Sequence, residues 1–205
     1  MQSSSSKLLD KAVEQFASLP GIGRKTALKF VLHLLKKNEQ EVHTFARTID
    51  ELKKNIRECH QCHNITDGDL CEICTDIKRD RSVICIVENI KDIISIEATS
   101  QFNGVYHVLG GIISPMDGIG PADLHIPTLL ERVEQNDIKE IIFALSATIE
   151  GDTTGYYIFK KLKNKEHLTI STIAKGISIG NDLEYTDELT LGRSIVNRVK
   201  FSFNE

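Results

Sequence analysis

The sequence predicts a multi-module α+β protein in which a helical bundle is followed by a short cysteine-rich segment, an α/β domain and a tail. Apolar residues recur at helical spacing up to about residue 57, two C-x2-C pairs follow, and β-branched runs then alternate with helical stretches. A chain of 205 residues exceeds the usual size of one domain, so several modules are expected. We set their bounds at residues 1–57, 58–80, 81–174 and 175–205.

The first module is predicted to contain two helices joined by a tight turn and a third helix after them. Apolar positions at residues 8–16 and 27–35 have helical spacing, and the segment at residues 19–23 interrupts them. A third apolar stripe runs from about residue 39 to residue 57. The serine run at residues 3–6 has the composition of a disordered segment.

The region from residue 81 onward alternates strand and helix signals. Continuous β-branched runs at residues 82–87 and 140–145 are typical of strands buried on both faces of a parallel sheet. This alternation predicts an α/β domain with a mainly parallel sheet, followed by a tail with one helix at residues 187–198. The other expected elements are helices at residues 92–100, 122–136 and 152–163 and strands at residues 104–109 and 168–173.

Charge is distributed unevenly along the chain, although the net charge is only −4. Residues 1–57 contain 11 Lys and Arg against 6 Asp and Glu, whereas the rest contains 14 against 23. A basic front and an acidic back suit a protein that binds a polyanion with one end and offers the other to a different partner. Since no apolar stretch reaches the roughly 18 residues of a membrane span, we expect a cytoplasmic protein without membrane contact.

Four cysteines predict one structural zinc site. Cys59 and Cys62 form the first C-x2-C pair, and Cys71 and Cys74 form the second, with eight residues between the pairs. Four thiolates complete a closed tetrahedral shell that leaves no position for water or substrate. The segment at residues 59–74 is too short and too polar to form an apolar core, so it needs a metal to hold its fold. Two redox dithiols are the alternative, but a thioredoxin-like motif needs a single C-x-x-C in a βαβ frame.

Three neighbouring side chains have other expected roles. Cys85 lies in the middle of an apolar run, where burial makes a thiol inert, so we interpret it as a core residue. His60 and His63 could each replace a cysteine as a zinc ligand. We interpret both histidines as solvent-facing neighbours of the site instead.

The segment L-P-G-I-G-R-K-T-A at residues 19–27 predicts a phosphate-binding hairpin. Gly21 and Gly23 permit a sharp turn, after which a helix opens with free N–H groups that can hold a phosphate. Arg24, Lys25 and Lys29 add positive charge for contacts that do not depend on base sequence. Alternatively, the two glycines have only a structural role, in which they cap the helices and form the turn between them. A nucleotide P-loop is excluded because it needs four residues between its first Gly and a Gly-Lys pair.

Three carboxylates follow the two most apolar predicted strands. Glu88 comes directly after the first, and Glu150 and Asp152 follow the second. Ligand sites of α/β sheets lie at these carboxyl ends, and three carboxylates could hold Mg²⁺ for phosphoryl transfer. The alternatives are solvated loop charges or contacts for a basic partner, and the sequence does not decide between them.

The order of these motifs resembles that of the bacterial recombination mediator family RecR, over nearly the whole chain. The resemblance rests on the hairpin, the four-cysteine segment, Glu88 and the acidic motif at residues 150–152. It also rests on Y-H-V-L-G-G at residues 106–111, S-P-M-D-G-I-G-P at 114–121 and D-L-E-Y-T-D-E-L-T-L at 182–191. It implies a helix-hairpin-helix module, a four-cysteine zinc finger, a Toprim domain and a C-terminal tail that packs on the Toprim domain.

The resemblance further implies a non-enzymatic DNA-binding protein of recombinational DNA repair. Members of the family form homodimers and ring-like homotetramers around DNA, and act with RecO and RecF to load recombinase at gapped DNA. Arg24 and Lys25 would then face the DNA, Glu150 and Asp152 would contribute to the RecO contact, and the tail would help assembly. We expect zinc to hold the geometry between modules, with Mg²⁺ as an open alternative at the carboxylates.

The alternative function is a Mg²⁺-dependent Toprim nuclease or primase-like enzyme that uses Glu88, Glu150 and Asp152. A Toprim topoisomerase also needs a nucleophilic tyrosine on a second large domain, and the chain has no room for one. Tyr106 falls in a predicted strand and is interpreted as a core residue. A protein-binding adaptor with incidental basic helices is a third possibility, against which the hairpin argues.

Overall fold

The N-terminal helices begin at side chains that cap them. In the computed structural model, which describes residues 6–165, 167–178, 180 and 182–200, Ser6 accepts a hydrogen bond from the Leu9 amide at the start of the first helix. Asn38 and Glu41 form a capping box at the start of the third. Residues 3–5 of the serine run lie outside the described residues. The helices are α1 (Lys7–Ala17), α2 (Arg24–Leu34) and α3 (Glu39–Asn55).

The first unit, residues 1–56, has a small apolar core between α1 and α2. Val13, Ala27 and Val31 are buried there, and Ile22 of the connecting hairpin packs against them. The third helix contributes much less, since none of the residues of α3 is buried. The apolar stripe predicted for α3 is present, but it is left uncovered within this unit.

The second unit, residues 57–205, begins with two short antiparallel strands and continues into a four-stranded parallel sheet. Its strands are β1 (Arg57–Glu58), β2 (Ile65–Thr66), β3 (Asp80–Val87), β4 (Gly104–Val108), β5 (Glu140–Ala144) and β6 (Thr169–Thr172). Its helices are α4 (Glu72–Thr75), α5 (Ile90–Glu97), α6 (Ile126–Gln135), α7 (Ile149–Leu162) and α8 (Glu188–Val196). The sheet order is β4-β3-β5-β6, so β4 and β6 are the edge strands. The predicted fold class, helices first and then a cysteine cluster and an α/β domain, is confirmed.

The sheet is covered on both faces, which explains why its central strands are continuously apolar. Ile84 and Ile86 of β3 belong to the cluster that includes residues of α6 and α7. Cys85 and Val87, which alternate with them, belong to the cluster that includes Ile93 of α5. Burial raises the pKa of the Cys85 thiol to about 12, so this cysteine is an inert core residue as expected. Among the described residues, no helix is both long and apolar enough to cross a membrane.

One helix begins later than the sequence predicts. Instead of a continuous helix over residues 122–136, a 3-10 turn at Pro121–Asp123 precedes α6, which begins at Ile126. Pro127 explains the difference, because proline lacks a backbone N–H and is accommodated only in the first turn of a helix. A helix that began at residue 122 would have held Pro127 in its interior.

An ion pair ties α5 to the segment that leads into β3. Glu97 accepts hydrogen bonds from two nitrogens of Arg79, of which Nη1 is 2.9 Å from Oε1. The Tyr106 hydroxyl donates to the same carboxylate at 2.6 Å. The Arg79 guanidinium holds the pKa of Glu97 below its usual range, while burial raises the pKa of Tyr106. Tyr106 is therefore a fully buried core residue whose hydroxyl is satisfied, as the sequence suggested.

We predict that Glu97→Gln lowers the free energy of unfolding by about 2 kcal/mol at neutral pH, because it breaks a partly buried charge pair. The folded-state pKa of Glu97 is depressed, so its contribution is present above the unfolded value of roughly 4.3 and is lost as pH falls through the folded pKa. Urea unfolding followed by circular dichroism at neutral and acidic pH measures both effects. The exposed Glu134→Gln is the matched control, and equal stability of the two variants at neutral pH would contradict the prediction.

Candidate metal centre and nucleic-acid interface

The four predicted cysteines converge at one point at the start of the second unit. Their Sγ atoms all lie within 4.8 Å of one another, and the residues are 0–3% exposed. The sulfurs of Cys62 and Cys71 are 3.5 Å apart. This separation is close to that of two corners of a tetrahedron around Zn²⁺ with Zn–S distances of about 2.3 Å. The number, type and spacing of the donors therefore fit a closed structural zinc site.

Local backbone hydrogen bonds orient each pair of cysteines toward the zinc site. In the first pair, the Cys59 amide donates to the Asn64 carbonyl at 2.7 Å, and the His63 amide donates back to the Cys59 carbonyl at 2.9 Å. In the second pair, Cys71 is the N-cap of α4, and the Thr75 amide donates to its carbonyl at 3.1 Å. The turn of the first pair forces His63 to a φ of +60°, a left-handed conformation that is uncommon for a residue other than glycine.

The crowded sulfurs of Cys62, Cys71 and Cys74 affect one another's pKa values. Hydrogen bonds from Cys62 and Cys74 lower the pKa of Cys71, so one thiolate forms readily. The same contacts between sulfurs, together with burial, raise the pKa of Cys62. Further ionisation is therefore costly unless a cation compensates the charge. A divalent metal supplies that compensation and releases protons as it binds.

The finger, residues 57–76, rests on the outer edge of β4. The Val108 amide of this edge strand donates to the Cys62 carbonyl at 2.8 Å. Arg132 of α6 donates from Nη1 to the Tyr106 carbonyl of β4 at 2.8 Å and to the Gln61 carbonyl at 3.3 Å. Unpaired backbone N–H and C=O groups at the edge of a sheet otherwise tend to pair with a strand of another chain. The finger and Arg132 together satisfy such groups at this edge.

Arg132 also balances charge at the zinc site. Its side chain is buried, and among the described residues no carboxylate lies within ion-pair distance of it. Burial lowers the pKa of Arg132, and the nearby cysteine sulfurs oppose that shift. A zinc ion with four thiolates has a net charge of about −2. A zinc-loaded finger would therefore act as the countercharge of Arg132, and zinc binding and finger docking would stabilise each other.

The hairpin between α1 and α2 leaves a helix N-terminus open. Gly21 has a φ of +75°, which glycine adopts without strain, and the Ile22 amide donates to the Leu19 carbonyl at 3.1 Å. Gly23 is the N-cap of α2 and supplies no side-chain hydrogen bond. Apart from its two neighbours in the chain, none of the described residues has an atom within 4 Å of the position that a Cβ of Gly23 would take. The first N–H groups of α2 are thus accessible to a ligand.

The basic side chains predicted at the hairpin lie at its exposed surface. Arg24, at the start of α2, has a side chain that is 52% exposed and lies 3.8 Å from Asp10. Lys25 and Lys29 are exposed and one helical turn apart, so they share a face of α2. The structure therefore combines three features within two helical turns. The N-terminus of α2 is open, Gly23 leaves space for a ligand to approach the backbone, and three basic side chains lie nearby.

The acidic motif lies at the start of α7 rather than in a loop. Thr148 caps this helix by accepting a hydrogen bond from the Gly151 amide at 3.1 Å, which places Glu150 and Asp152 in the first turn. Gly151 is required there, because a Cβ at this position would lie 2.1 Å from the carbonyl oxygen of Ser146. The helix N-terminus thus starts very close to the end of β5.

The three predicted carboxylates do not form a compact ligand group. Glu88 follows β3, and Glu150 and Asp152 follow β5, so they lie at the carboxyl ends of neighbouring strands. Among the described residues, however, they are not a group whose oxygens all lie within 4.8 Å. Asp152 instead pairs with two cations that follow β6, Lys175 Nζ at 2.6 Å and Arg193 Nη2 at 3.9 Å.

Sequence reasoning missed one cluster beside the finger. Glu58, His63 and His125 also have ligand atoms that all lie within 4.8 Å of one another. The interpretation of His63 as solvent-facing was wrong, since its side chain is only 14% exposed, whereas His60 is exposed as expected. No spacing rule could have joined His63 to His125, because the two lie in different modules. The only sequence signal was the presence of a histidine beside each motif.

We predict that Cys71→Ser lowers zinc content and uncovers the edge of β4, because an open shell no longer fixes the finger that Val108 pairs with. The Val108 amide should exchange its hydrogen about tenfold faster or more. Zinc analysis and hydrogen exchange measure the two effects, and Cys85→Ala serves as the control that keeps its zinc. A zinc-free Cys71→Ser protein with unchanged Val108 exchange would contradict the coupling.

Arg132→Met tests the charge balance separately from the ligands. It keeps an apolar stem of similar length but removes the positive charge and two hydrogen bonds to the finger and β4. We predict about tenfold weaker zinc binding, measured by competition with a chromophoric chelator. Wild-type zinc affinity in a folded Arg132→Met protein would contradict the role of Arg132 as a countercharge.

Family models match four successive parts of the chain. They describe a RecR helix-hairpin-helix over residues 9–53, a RecR four-cysteine zinc finger domain over 56–76, a Toprim domain over 82–174 and a RecR C-terminal region over 176–199. The four-cysteine cluster lies within the zinc finger match. Together, the cluster and the match confirm zinc as the structural cofactor.

Curated relatives match nearly the whole chain. Recombination protein RecR of Bacteroides thetaiotaomicron is 55% identical over 197 residues, which cover 96% of each chain. Recombination protein RecR of Porphyromonas gingivalis strain W83 is 54% identical over 202 residues, or 98% of this chain and 97% of the relative. That of Flavobacterium psychrophilum is 53% identical over 96% of this chain and 95% of the relative. The resemblance seen in the order of motifs is thus confirmed, and the chain belongs to the RecR family of recombination proteins.

Proposed function

We propose that this chain is a cytoplasmic, non-enzymatic DNA-binding protein that acts in recombinational repair as a ring-like clamp. In this role it would work with RecO and RecF to help load recombinase at gapped DNA. Membership of the RecR family supports the role in recombination. The observation that carries DNA binding is the open N-terminus of α2 with Arg24, Lys25 and Lys29 around it. Such a site recognises phosphate and not base sequence.

Uncovered apolar surface supports assembly into a homodimer or homotetramer. On α3, Phe45, Ile49 and Leu52 are 44–58% exposed. A groove of about 630 Å³ runs beside them, lined by Phe16, Leu34, Leu35 and Val42 among others. In the tail, Leu189 and Ile195 of α8 are also exposed. Apolar surface of this extent is the usual mark of an interface, so we assign α3 and the tail to contacts between copies of the chain.

The acidic end of the sheet is the proposed contact for RecO. A cleft of about 480 Å³ lies between α7 and β6, and Asp152, Tyr156 and Phe159 line it. Tyr156 is 68% exposed, so an aromatic side chain stands beside a carboxylate that already pairs with basic groups of its own chain. A partner with basic and apolar side chains could make the same contacts. Glu150 lies in the same first turn of α7 but is not among the described residues that line this cleft, so its contribution to the contact stays a prediction.

The nuclease or primase-like alternative has less support. A Mg²⁺ site for phosphoryl transfer needs several oxygen ligands around one point. Glu88, Glu150 and Asp152 do not gather in this way among the described residues, and Asp152 is paired with Lys175. Membership of a family of recombination mediators agrees with a protein that binds DNA without cleaving it.

We predict that Arg24→Ala combined with Lys25→Ala weakens duplex DNA binding and flattens its salt dependence. Each lost phosphate contact should reduce the slope of log K against log salt by about 0.9. Fluorescence anisotropy at several salt concentrations measures affinity and slope together. Lys160→Ala with Lys161→Ala, in the last turn of α7, is the control because it removes the same charge from exposed side chains that belong neither to the hairpin nor to the proposed assembly surfaces. Undiminished binding by the hairpin variant, or equal loss in the control, would contradict the assignment.

We also expect binding without cleavage when the protein is incubated with closed-circular and gapped DNA, in the presence and absence of Mg²⁺. Gel electrophoresis before and after protein removal separates the two outcomes. Glu150→Ala should behave as the unaltered protein in this assay. Cleavage that requires Mg²⁺ and disappears in Glu150→Ala would instead establish an enzyme.

A further inference from the structure

A second group of metal-binding side chains lies where the finger meets the α/β domain. Glu58 belongs to β1, His63 follows Cys62 in the first cysteine pair, and His125 is the N-cap residue of α6. Glu58 Oε2 lies 3.4 Å from His63 Nδ1 and 3.7 Å from His125 Nε2. The group therefore joins two segments that are far apart in the sequence.

The hydrogen bonds of His125 fix which of its nitrogens is protonated. Its Nδ1 lies 3.0 Å from the Val108 carbonyl oxygen. A carbonyl only accepts hydrogen bonds, so Nδ1 carries the proton. In a neutral ring, Nε2 then has a free lone pair, and this is the atom that faces Glu58.

His63 has the opposite tautomer for a similar reason. Its Nε2 lies 2.9 Å from Thr128 Oγ1, and that hydroxyl donates its single hydrogen to the His125 carbonyl at 3.0 Å. Thr128 can then only accept from His63, which places the proton of His63 on Nε2. The lone pair of His63 is on Nδ1, the nitrogen nearest Glu58.

Two imidazole lone pairs and a carboxylate thus meet without a hydrogen-bond donor between them. In each ring the other nitrogen donates to an oxygen, which is the outer-shell pattern that orients metal-ligating histidines. We propose that Glu58, His63 and His125 bind a second divalent transition metal of the Zn²⁺ type, separate from the four-cysteine centre. Two histidines and one glutamate are a known zinc ligand set with an open fourth position for water.

The distances in the cluster suit such an ion. Ligands about 2.0–2.1 Å from a tetrahedral metal are about 3.3 Å apart, close to the 3.4 and 3.7 Å measured from Glu58 Oε2. Imidazole and carboxylate donors favour Zn²⁺ or neighbouring transition metals over Mg²⁺, which prefers oxygen ligands alone. The site would be weaker than the finger because its Glu58 side chain is 63% exposed.

Metal binding requires one rearrangement. The rings of His63 and His125 are stacked, with centroids 3.7 Å apart and planes 12° from parallel. A metal lies near the plane of each imidazole that binds it, so the two rings must splay to share one ion. The 32% exposure of the His125 side chain leaves room for that rotation. The bound ion would then fasten the finger to the start of α6.

The test uses untagged full-length protein whose finger already holds one zinc. Zn²⁺ titration by calorimetry should reveal a second equivalent, and Co²⁺ bound at this site should lack the near-ultraviolet charge-transfer absorption of cysteine ligands. His63→Gln and His125→Asn each place an amide N–H where the donating nitrogen was, while removing the lone pair that faces Glu58. These two variants and Glu58→Gln should each weaken the second equivalent about tenfold or more.

His60→Gln is the matched control, since it removes an exposed histidine of the same finger that belongs to neither cluster. It should bind both equivalents as the unaltered protein does, and every variant should keep its first zinc. The proposal is overturned if the unaltered protein binds no second equivalent, or if combining the three substitutions leaves that equivalent intact. Loss of the second equivalent in His60→Gln, or cysteine charge-transfer bands in that equivalent, would assign the ion to another place and overturn it equally.

Discussion

The second unit depends on how the outer edge of β4 is satisfied. A parallel sheet four strands wide has two edges, and an open edge exposes unpaired N–H and C=O groups. Here the Cys62 carbonyl accepts from Val108, and Arg132 bonds both Tyr106 and Gln61. The finger can cover the edge only if its own short backbone is held rigid, and zinc supplies that rigidity. A bound zinc ion would thus stabilise the edge of the sheet as well as the finger.

Chemical roles are divided among different parts of the chain. The four cysteines form a closed shell, so they hold geometry and perform no reaction. Phosphate recognition is our proposal for the hairpin, where Gly23 leaves the N-terminus of α2 open. The carboxylates at the sheet end are separated, and Asp152 is engaged with Lys175. This division is consistent with membership of the RecR family of recombination proteins.

The features that the sequence predicted are those that depend on neighbours in the chain. Spacing alone identified Cys59 to Cys74, because both ligands of each pair are three residues apart. Glu88 was placed at a strand end because β3 is continuously apolar. Contacts between distant residues were not predictable in this way. Arg132 donates a hydrogen bond to Gln61, which is 71 residues away in the sequence, and no periodicity or motif predicts that contact.

The same limit explains why His63 was misread. In the sequence it is a polar residue beside a ligand, which is usually solvated. In the fold, the left-handed turn at φ +60° directs it against α6, where Thr128 and His125 are brought by the packing of α6 on the sheet. Its orientation is a consequence of two modules meeting. Local sequence contains information on each module but not on the surface they share.

The backbone of Val108 links the four-cysteine centre physically to the proposed second group. Its N–H bonds the carbonyl of Cys62, a residue of the four-cysteine centre, and its C=O accepts from Nδ1 of His125, a residue of the second group. His63 directly follows Cys62, so the closed zinc shell also sets the position of His63. The coupling between the two groups would therefore be reciprocal. An ion in the four-cysteine centre would favour the second ligand set, and an ion bound by Glu58, His63 and His125 would favour the docked finger by the same free energy.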